Sequence, residues 1–212
     1  MQEHASGSMN RDDFILAHIP ELYLLGEFDK ATVERKSDVD VVDQKIDTSD
    51  WVGFRIGHLF DIKRGTGYAL TNLPEGNTPL ISARESDNSI AIHADVPAKF
   101  EANTITVTTD GAVGYATVQD KPFDIASNAR ALIFKGEHEP TVLAKFAVCT
   151  LIREEGQRFG YARKLNQERL ENMTVRLPAV LDESGDVTPD WDRLDVKMRE
   201  LAFSQYVVTG KL

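Results

Sequence analysis

The stretch from residue 103 to residue 134, NTITVTTDGAVGYATVQDKPFDIASNARALIF, constrains the fold more strongly than any other part of this chain. It holds three runs rich in Val, Ile, Thr and aromatic residues, at 104–108, 113–118 and 131–134, and these residue types favour β-strands. Asp110-Gly111 separates the first two runs, and Asp-Gly is typical of a tight hairpin because glycine adopts the positive φ that such a turn requires. The sequence therefore predicts an antiparallel hairpin whose small, polar turn allows close approach by another polar backbone.

The patterns on either side of this hairpin predict a mixture of strands and helices, and therefore an α+β fold. Alternating apolar residues predict strands at 51–65, broken by a half-turn at 57–58, and at 78–82, 90–93 and 173–177. Apolar spacing near 3.6 residues predicts helices at 12–25, 139–156, 166–172 and 189–203, the last of them amphipathic.

The net charge of -10 argues on its face against a nucleic-acid partner, but the distribution of charge changes that conclusion. Residues 1–50 carry 5 Lys/Arg against 12 Asp/Glu, and residues 181–212 carry 4 against 7, whereas residues 51–180 carry 15 of each. A neutral central segment can present a basic face, so charge permits DNA binding without indicating it. We divide the chain into an acidic accessory or leader region at 1–50, a central domain at 51–180 and a C-terminal helical segment at 181–212.

Several classes of protein are disfavoured by what the sequence lacks. No apolar run approaches the roughly 20 residues that span a bilayer, so we expect no membrane insertion. The single cysteine, Cys149, excludes an internal disulfide framework, lies in an apolar pattern typical of a buried thiol, and fits a cytoplasmic location. No P-loop, H-E-x-x-H, G-x-S-x-G or Cys-x-x-Cys motif occurs, and the five histidines are scattered singly. We therefore predict no catalytic site, no metal site and no cofactor.

Polar and basic side chains cluster instead in the loops that follow predicted strands. Arg and Lys neutralise phosphates, Asn, Asp and Arg match the hydrogen-bonding groups of base edges, and backbone N–H groups at glycines hold phosphate oxygens. Each loop alone is most often a solvated turn, but together they suit recognition of double-stranded DNA. The candidates for phosphate contacts are Lys63, Arg64, Thr66, Arg163, Lys164 and Asn166. The candidates for base or groove contacts are Tyr68, Arg84, Asp87, Asn88, Thr109, Asp110, Gly111, Asn128 and Arg130.

Four segments, taken in order, carry a resemblance to a known family. They are DTSDW with FRIGHLFDIKRG, NTPLISARESDNSI, FEANTITVTTDGAVGYATVQDKPFDIASNARALIF and YARKLNQERLENMTVRLP, and they cover about residues 47–191. These segments resemble the target recognition domain of type I restriction–modification specificity subunits. The resemblance implies a mixed, strongly twisted β-sheet or half-barrel with flanking helices, followed by a C-terminal helix that pairs with another helix.

What the resemblance implies about function is recognition without catalysis. A subunit of this family reads a split DNA sequence and delivers it to adenine methyltransferase and restriction subunits, which use S-adenosylmethionine and ATP respectively. Full specificity subunits of the family carry two recognition domains, whereas this chain carries one. We therefore predict a half-subunit that reads one half-site and forms a homodimer through the helix at 189–203.

Two other interpretations stay open from the sequence. The charge of -10 and the acidic ends also suit a protein-binding module or a DNA mimic that acts on a restriction system. The chain is also consistent with a piece of a larger fused methyltransferase–nuclease. A basic face on residues 51–178 favours DNA binding, and an evenly acidic surface favours mimicry.

Overall fold

The computed structural model describes residues 46–160, 163–201 and 204. The helix predicted at 12–25, most of the accessory region predicted at 1–50 and the end of the helix predicted at 189–203 lie outside the described residues.

A four-stranded antiparallel sheet forms the centre of the described fold, in the strand order β2-β8-β5-β6. Its strands are β2 at Phe60–Lys63, β5 at Thr104–Thr108, β6 at Ala116–Gln119 and β8 at Ala129–Phe134. Every residue of β5 is β-branched and buried, as expected for an interior strand in which branched side chains pack on a pleated surface.

Further strands in the described residues form one three-stranded sheet and two pairs. The three-stranded sheet has the order β4-β3-β7, in which β3 pairs antiparallel with β4 and parallel with β7. The strands are β1 at Val52–Arg55, β3 at Glu75–Ile81, β4 at Ile90–Ala94, β7 at Asp124–Ile125, β9 at Thr174–Leu177, β10 at Ala179–Leu181 and β11 at Val187–Pro189. Strand β1 pairs with β9, and β10 pairs with β11.

Helices flank the sheets, and side chains cap the first turns of three of them. They are α1 at Ile56–Leu59, α2 at Val142–Gly156, α3 at Gln167–Asn172 and α4 at Trp191–Arg199. The side chains of Thr141, Asn166 and Asp190 accept hydrogen bonds from backbone N–H groups at the starts of α2, α3 and α4 respectively.

Apolar side chains cover both faces of the four-stranded sheet. Ile105 and Val107 of β5 and Leu132 of β8 pack in the main core with α2, where Val148 and Cys149 are fully buried. On the other face, Ala129 and Ala131 pack with residues of β3 and β7 in a second cluster. Since both faces are covered, only the loops at the ends of these strands are free to face a large partner.

The α+β class with helices around twisted sheets is confirmed, and so are most of the predicted elements. The strand at 104–108, the helix that ends at Gly156 and the Asn166 cap lie where the sequence places them. The half-turn at 57–58 is the one-turn helix α1. The strand predicted at 113–118 is wrong at its start, since β6 begins only at Ala116.

Candidate nucleic-acid interface

Most of the candidate residues lie in loops along one edge of the four-stranded sheet, the edge formed by the ends of its strands and not by an outer strand. Strands β2 and β5 end at this edge and β6 and β8 begin there, as the pairs Lys63–Ala131 and Thr108–Ala129 show. The segments at 64–67, 109–115 and 126–128 therefore leave the sheet on the same side. We call these segments, together with the neighbouring loops at 82–89 and 163–166, the loop edge.

Two hydrogen bonds join loops of this edge that are distant in sequence. The backbone N–H of Thr109 donates to the carbonyl oxygen of Asn128 at 2.7 Å. The Nζ atom of Lys164 donates to Oδ2 of Asp110 at 3.1 Å. The hairpin loop after β5 thus brings the segments at 126–128 and 163–166 onto one surface.

The hairpin loop itself spans residues 109–115 and is not the tight Asp-Gly turn that the sequence predicts. Gly111 has a φ of +67° and Gly114 a φ of +82°, and positive φ favours glycine at both positions. A Cβ atom on Gly111 would lie 3.1 Å from Cβ of Ala83, and one on Gly114 would lie 2.6 Å from Cα of Gly156 at the end of α2. The loop is therefore held between the segment at 82–89 and α2, while its tip at Gly111 stays exposed.

Two arginines lie close together at the loop edge. Arg64 follows the last residue of β2, and Arg130 is the second residue of β8, next to the segment at 126–128. The partial burial of Arg130 and the repulsion from Arg64 lower the pKa of Arg130. Its Nε atom is buried with no hydrogen-bond partner, and within the described residues neither arginine forms an ion pair. Like charges in this position cost stability, and an anion held against both guanidinium groups removes that cost.

The neighbouring candidates Lys63 and Thr66 are both engaged by the protein. The Nζ atom of Lys63 lies 3.3 Å from Oδ2 of Asp61, whose pKa is lowered by its hydrogen bonds and ion pairs with Lys63 and Lys135. The backbone N–H of Thr66 donates to Oδ1 of the buried Asp124 at 3.0 Å. The Thr66 side chain stays exposed, so the backbone is fixed while the hydroxyl is free to reach a ligand.

In the segment at 163–166, three candidates precede or cap α3. The guanidinium group of Arg163 lies 5.2 Å from the ring centroid of Phe159 and is exposed. The side-chain oxygen of Asn166 accepts from the backbone N–H of Arg169 at 2.8 Å, which leaves its amide NH2 group exposed. The hydrogen bond from Lys164, followed by that from the Gly111 backbone, lowers the pKa of Asp110, so this carboxylate is ionised at neutral pH.

The segment at 82–89 displays a charged pair. Nη1 of Arg84 donates to the carbonyl oxygens of Ile90 and Ala91 at 3.1 and 3.2 Å. Its Nη2 atom lies 3.9 Å from Oδ2 of Asp87, and both side chains are exposed. The guanidinium of Arg84 is thus oriented by its own loop and keeps a face toward solvent.

Of the predicted base contacts, two are buried and a third is half-buried. Asn88 is only 8% exposed, and its side-chain amide donates to the carbonyl of Val118 and to Oε1 of Gln119. Thr109 is only 7% exposed, because its loop folds back against Asn128. Tyr68 is half-buried and packs on a small apolar cluster with Leu80. We therefore remove the buried Asn88 and Thr109 from the base-reading set, whereas the half-buried Tyr68 stays a predicted groove contact.

The sequence reasoning also missed two buried polar residues beneath the loop edge. Gln119 bonds Asn88 and two threonines, and Asp124 accepts from the backbone N–H groups of Thr66 and Ile125. Only the polar character of each residue within an apolar, strand-like segment could have marked them, because their partners are remote in sequence.

The described residues were also searched for metal-binding groups and membrane spans. They include no cluster of three or more His, Cys, Asp or Glu side chains able to hold a metal ion. No helix in the described part of the chain is both long and apolar enough to cross a bilayer.

Comparison with known families decides what kind of domain this is. Residues 48–196 match the family model described as the type I restriction modification DNA specificity domain. The chain belongs to this family. The domain that the family describes supplies DNA specificity and is non-catalytic.

Individual relatives agree with this assignment. The chain is 22% identical over 152 residues to the specificity subunit S.BcgI of a type II restriction enzyme from Heyndrickxia coagulans, covering 71% of this chain and 43% of the relative. The fold matches the type I S subunit from M. genitalium with a TM-score of 0.54 at 16% identity, covering 92% of this chain and 48% of that one. It also matches the HsdS subunit from Thermoanaerobacter tengcongensis with a TM-score of 0.50 at 17% identity, covering 79% and 40%. The chain thus spans less than half the length of these relatives.

Proposed function

We propose that this specificity domain reads the sequence of double-stranded DNA through the loop edge, as the recognition subunit of a restriction–modification system. The observation that carries the proposal is the pair Arg64 and Arg130, which has no ion-pair partner among the described residues and lies next to the loops of the loop edge. The family description, which names DNA specificity, supports the same function.

The cations at the loop edge form two groups that suit contacts to phosphates. Arg64 and Arg130 lie at the ends of β2 and β8, and Lys164, next to Arg163, is hydrogen-bonded to Asp110 in the loop between β5 and β6. Because Arg130 is half-buried beside Arg64, we now assign it to a phosphate rather than to a base. Each such contact steepens the salt dependence of binding by about 0.9 in log–log slope.

Other exposed polar groups of the loop edge suit contacts to base edges. Asp110, Arg84, Asp87 and Asn128 all project from loops whose backbones are fixed by hydrogen bonds. Carboxylates accept from the cytosine amine, arginine donates to guanine, and asparagine pairs with adenine. The proposed mechanism is therefore direct reading of base edges, supported by phosphate contacts.

We also infer that other subunits perform the chemistry. The proposed partners are an adenine methyltransferase subunit and a restriction subunit, which use S-adenosylmethionine and ATP respectively, while this chain supplies one half-site reader without a cofactor of its own. The family match supports the role of specificity provider in such a complex.

Homodimer formation through the C-terminal helix stays a prediction with weaker support. Trp191, Leu194 and Met198 of α4 pack against the domain's own core, and Trp191 contacts Phe134 with ring centroids 5.7 Å apart. Within the described part of α4, the exposed large apolar side chain is Val196, at 55%. The apolar side chains of α4 that were predicted to pair with another helix thus pack within the same domain.

The alternative of an acidic protein-binding module or DNA mimic is supported by the net charge of -10 but not by the loop edge. Mimicry requires an evenly negative surface, whereas the cations of the loop edge outnumber its carboxylates. They are Arg64, Arg84, Arg163 and Lys164, against Glu85, Asp87 and Asp110.

Selection from a random-sequence duplex library tests the proposed function. The protein, alone and with the methyltransferase subunit of its own system, is expected to enrich one short motif. The double variant Arg64→Gln/Arg130→Gln is expected to lose this enrichment. Lys197→Gln is the matched control, since this lysine lies in α4, which packs on Phe134 at the end of β8 away from the loop edge. No enriched motif with or without the partner subunit would overturn the proposal.

A further inference from the structure

A buried polar layer lies between the four-stranded sheet and the loop at 82–89. Thr106 of β5 and Thr117 and Gln119 of β6 share one face of the sheet and are each at most 1% exposed. The side-chain amide of Gln119 donates to Oγ1 of Thr106 at 2.9 Å and to Oγ1 of Thr117 at 2.8 Å. Buried polar groups lower stability unless they form hydrogen bonds. These two hydrogen bonds satisfy the polar groups of the layer on the side of the sheet.

The same glutamine reaches across to the loop. Its Nε2 atom donates to the carbonyl oxygen of Asn88 at 3.0 Å, and Nδ2 of Asn88 donates back to Oε1 of Gln119 at 3.2 Å. The Asn88 amide also donates to the carbonyl of Val118 at 3.0 Å. Two amide side chains thus clamp the loop to β6 through hydrogen bonds that run in both directions.

The clamped loop has an unusual backbone. Asp87, Asn88 and Ser89 have φ values of +51°, +52° and +63°, and consecutive left-handed residues without glycine occur only where the surroundings enforce them. The hydroxyl of Ser89 donates to the carbonyl of Arg84 at 2.8 Å, and the backbone N–H of Ser82 donates to the carbonyl of Ser89 at 2.9 Å. The strained turn therefore sets the position from which Arg84 and Asp87 project.

We propose that Gln119, through its bonds with Asn88, is a positioning residue for DNA recognition that holds the loop at 82–89 in its reading conformation before DNA arrives. This inference rests on the proposed function. A loop that is already ordered loses little conformational freedom on binding, and its polar groups meet base edges in one geometry. Gln119 itself touches no DNA, since it is buried beneath the loop.

The test compares how strongly each variant discriminates between DNA sequences, in addition to how tightly it binds. Gln119→Leu removes both hydrogen bonds between Gln119 and the loop and leaves an apolar side chain of similar size. Asn88→Gly keeps the left-handed backbone and the backbone carbonyl of residue 88, and removes the two hydrogen bonds that the Asn88 side chain donates to Val118 and Gln119. Leu194→Ala in α4 is the control for general destabilisation, since this buried residue is remote from the loop. The measurement is the ratio of Kd values for the selected duplex and for duplexes with single base-pair changes, over a range of salt concentrations.

The expected result is a position-specific loss of discrimination. Gln119→Leu and Asn88→Gly are expected to lower discrimination by about 5- to 100-fold at one or two base pairs, with the salt slope unchanged because the phosphate contacts lie elsewhere. Leu194→Ala is expected to lower the Tm and leave discrimination intact. Wild-type discrimination in Gln119→Leu, or an equal loss at every position in all three variants, overturns the positioning role while the proposed function stands. Absence of discrimination by the wild-type protein overturns both.

Discussion

Replacing Arg64 with Gln is expected to stabilise the free protein and weaken its binding to DNA. In the free protein Arg64 stands beside the half-buried Arg130 and lowers the pKa of that arginine, so the two charges repel each other. A cross-strand pair of opposite charges contributes about 0.2–1 kcal/mol, and we take the same magnitude with the opposite sign for the repulsion between these two arginines. For a chain of this size, about 1 kcal/mol moves the Tm by about 2–4 °C, so the variant is expected to melt up to about 4 °C higher.

The same substitution removes one proposed phosphate contact. The log–log slope of affinity against salt is expected to fall by about 0.9, which makes that contact worth about 3.5-fold in affinity between about 50 and 200 mM salt. Thermal unfolding of the free protein measures the first effect, and fluorescence anisotropy with a labelled duplex at several salt concentrations measures the second.

Lys197→Gln is the matched control, because it removes the same charge from α4, where the exposed ion pair of Lys197 with Glu200 adds little to stability. Both the salt slope and the Tm of this control are expected to match those of the wild-type protein. A free Arg64→Gln protein that melts lower than wild type, together with an unchanged salt slope, would refute the assignment of Arg64 and Arg130 as a phosphate site.

Three further substitutions test the fold and the site. Gly114→Ala is expected to destabilise the protein by about 2–5 kcal/mol, because the alanine has a strained positive φ and clashes with the end of α2. Gly160→Ala is the control: its Cβ has open space, so the midpoint of urea unfolding is expected to change little. Asp110→Asn releases Lys164, so non-specific binding is expected to tighten and its salt slope to steepen by about 0.9. Because the pKa of Asp110 is lowered, its ion pair is lost only as pH falls through the acidic range below the ordinary carboxyl pKa. The difference in non-specific DNA affinity between Asp110→Asn and the wild-type protein is therefore expected to stay constant between about pH 6 and pH 8. Leu194→Ala is expected to cost about 2–5 kcal/mol without changing the elution volume in size-exclusion chromatography; conversion of a dimer to a monomer would contradict the intramolecular role of α4.

Elements governed by local signals could be predicted from the sequence. The run at Thr104–Thr108 is β-branched throughout, and Asn166 has the residue type and position of a helix cap. The positive φ at Gly111 follows from glycine chemistry, and the structure shows it at +67°. The charged candidates could be found because exposed basic residues in loops after strands are visible without knowledge of their partners.

Features that depend on remote partners could not be predicted. Asn88 has the residue type of an exposed turn, yet it is buried because Gln119, 31 residues away, supplies its hydrogen-bond partner. The hairpin loop is longer than Asp-Gly suggests because Gly114 packs against Gly156, a contact that no local pattern records. The proximity of Arg64 to Arg130 likewise depends on the pairing of β2 with β8, which are remote in sequence.

Site-directed crosslinking tests most directly whether the loop edge faces DNA. The natural Cys149 is buried, so a photoreactive label can be placed at Ser127→Cys on the loop edge or at Ser184→Cys in the acidic turn between β10 and β11. With the selected duplex, the label at residue 127 is expected to crosslink to DNA and the label at residue 184 is not. Crosslinking from residue 184 alone, with none from residue 127, would contradict the central claim.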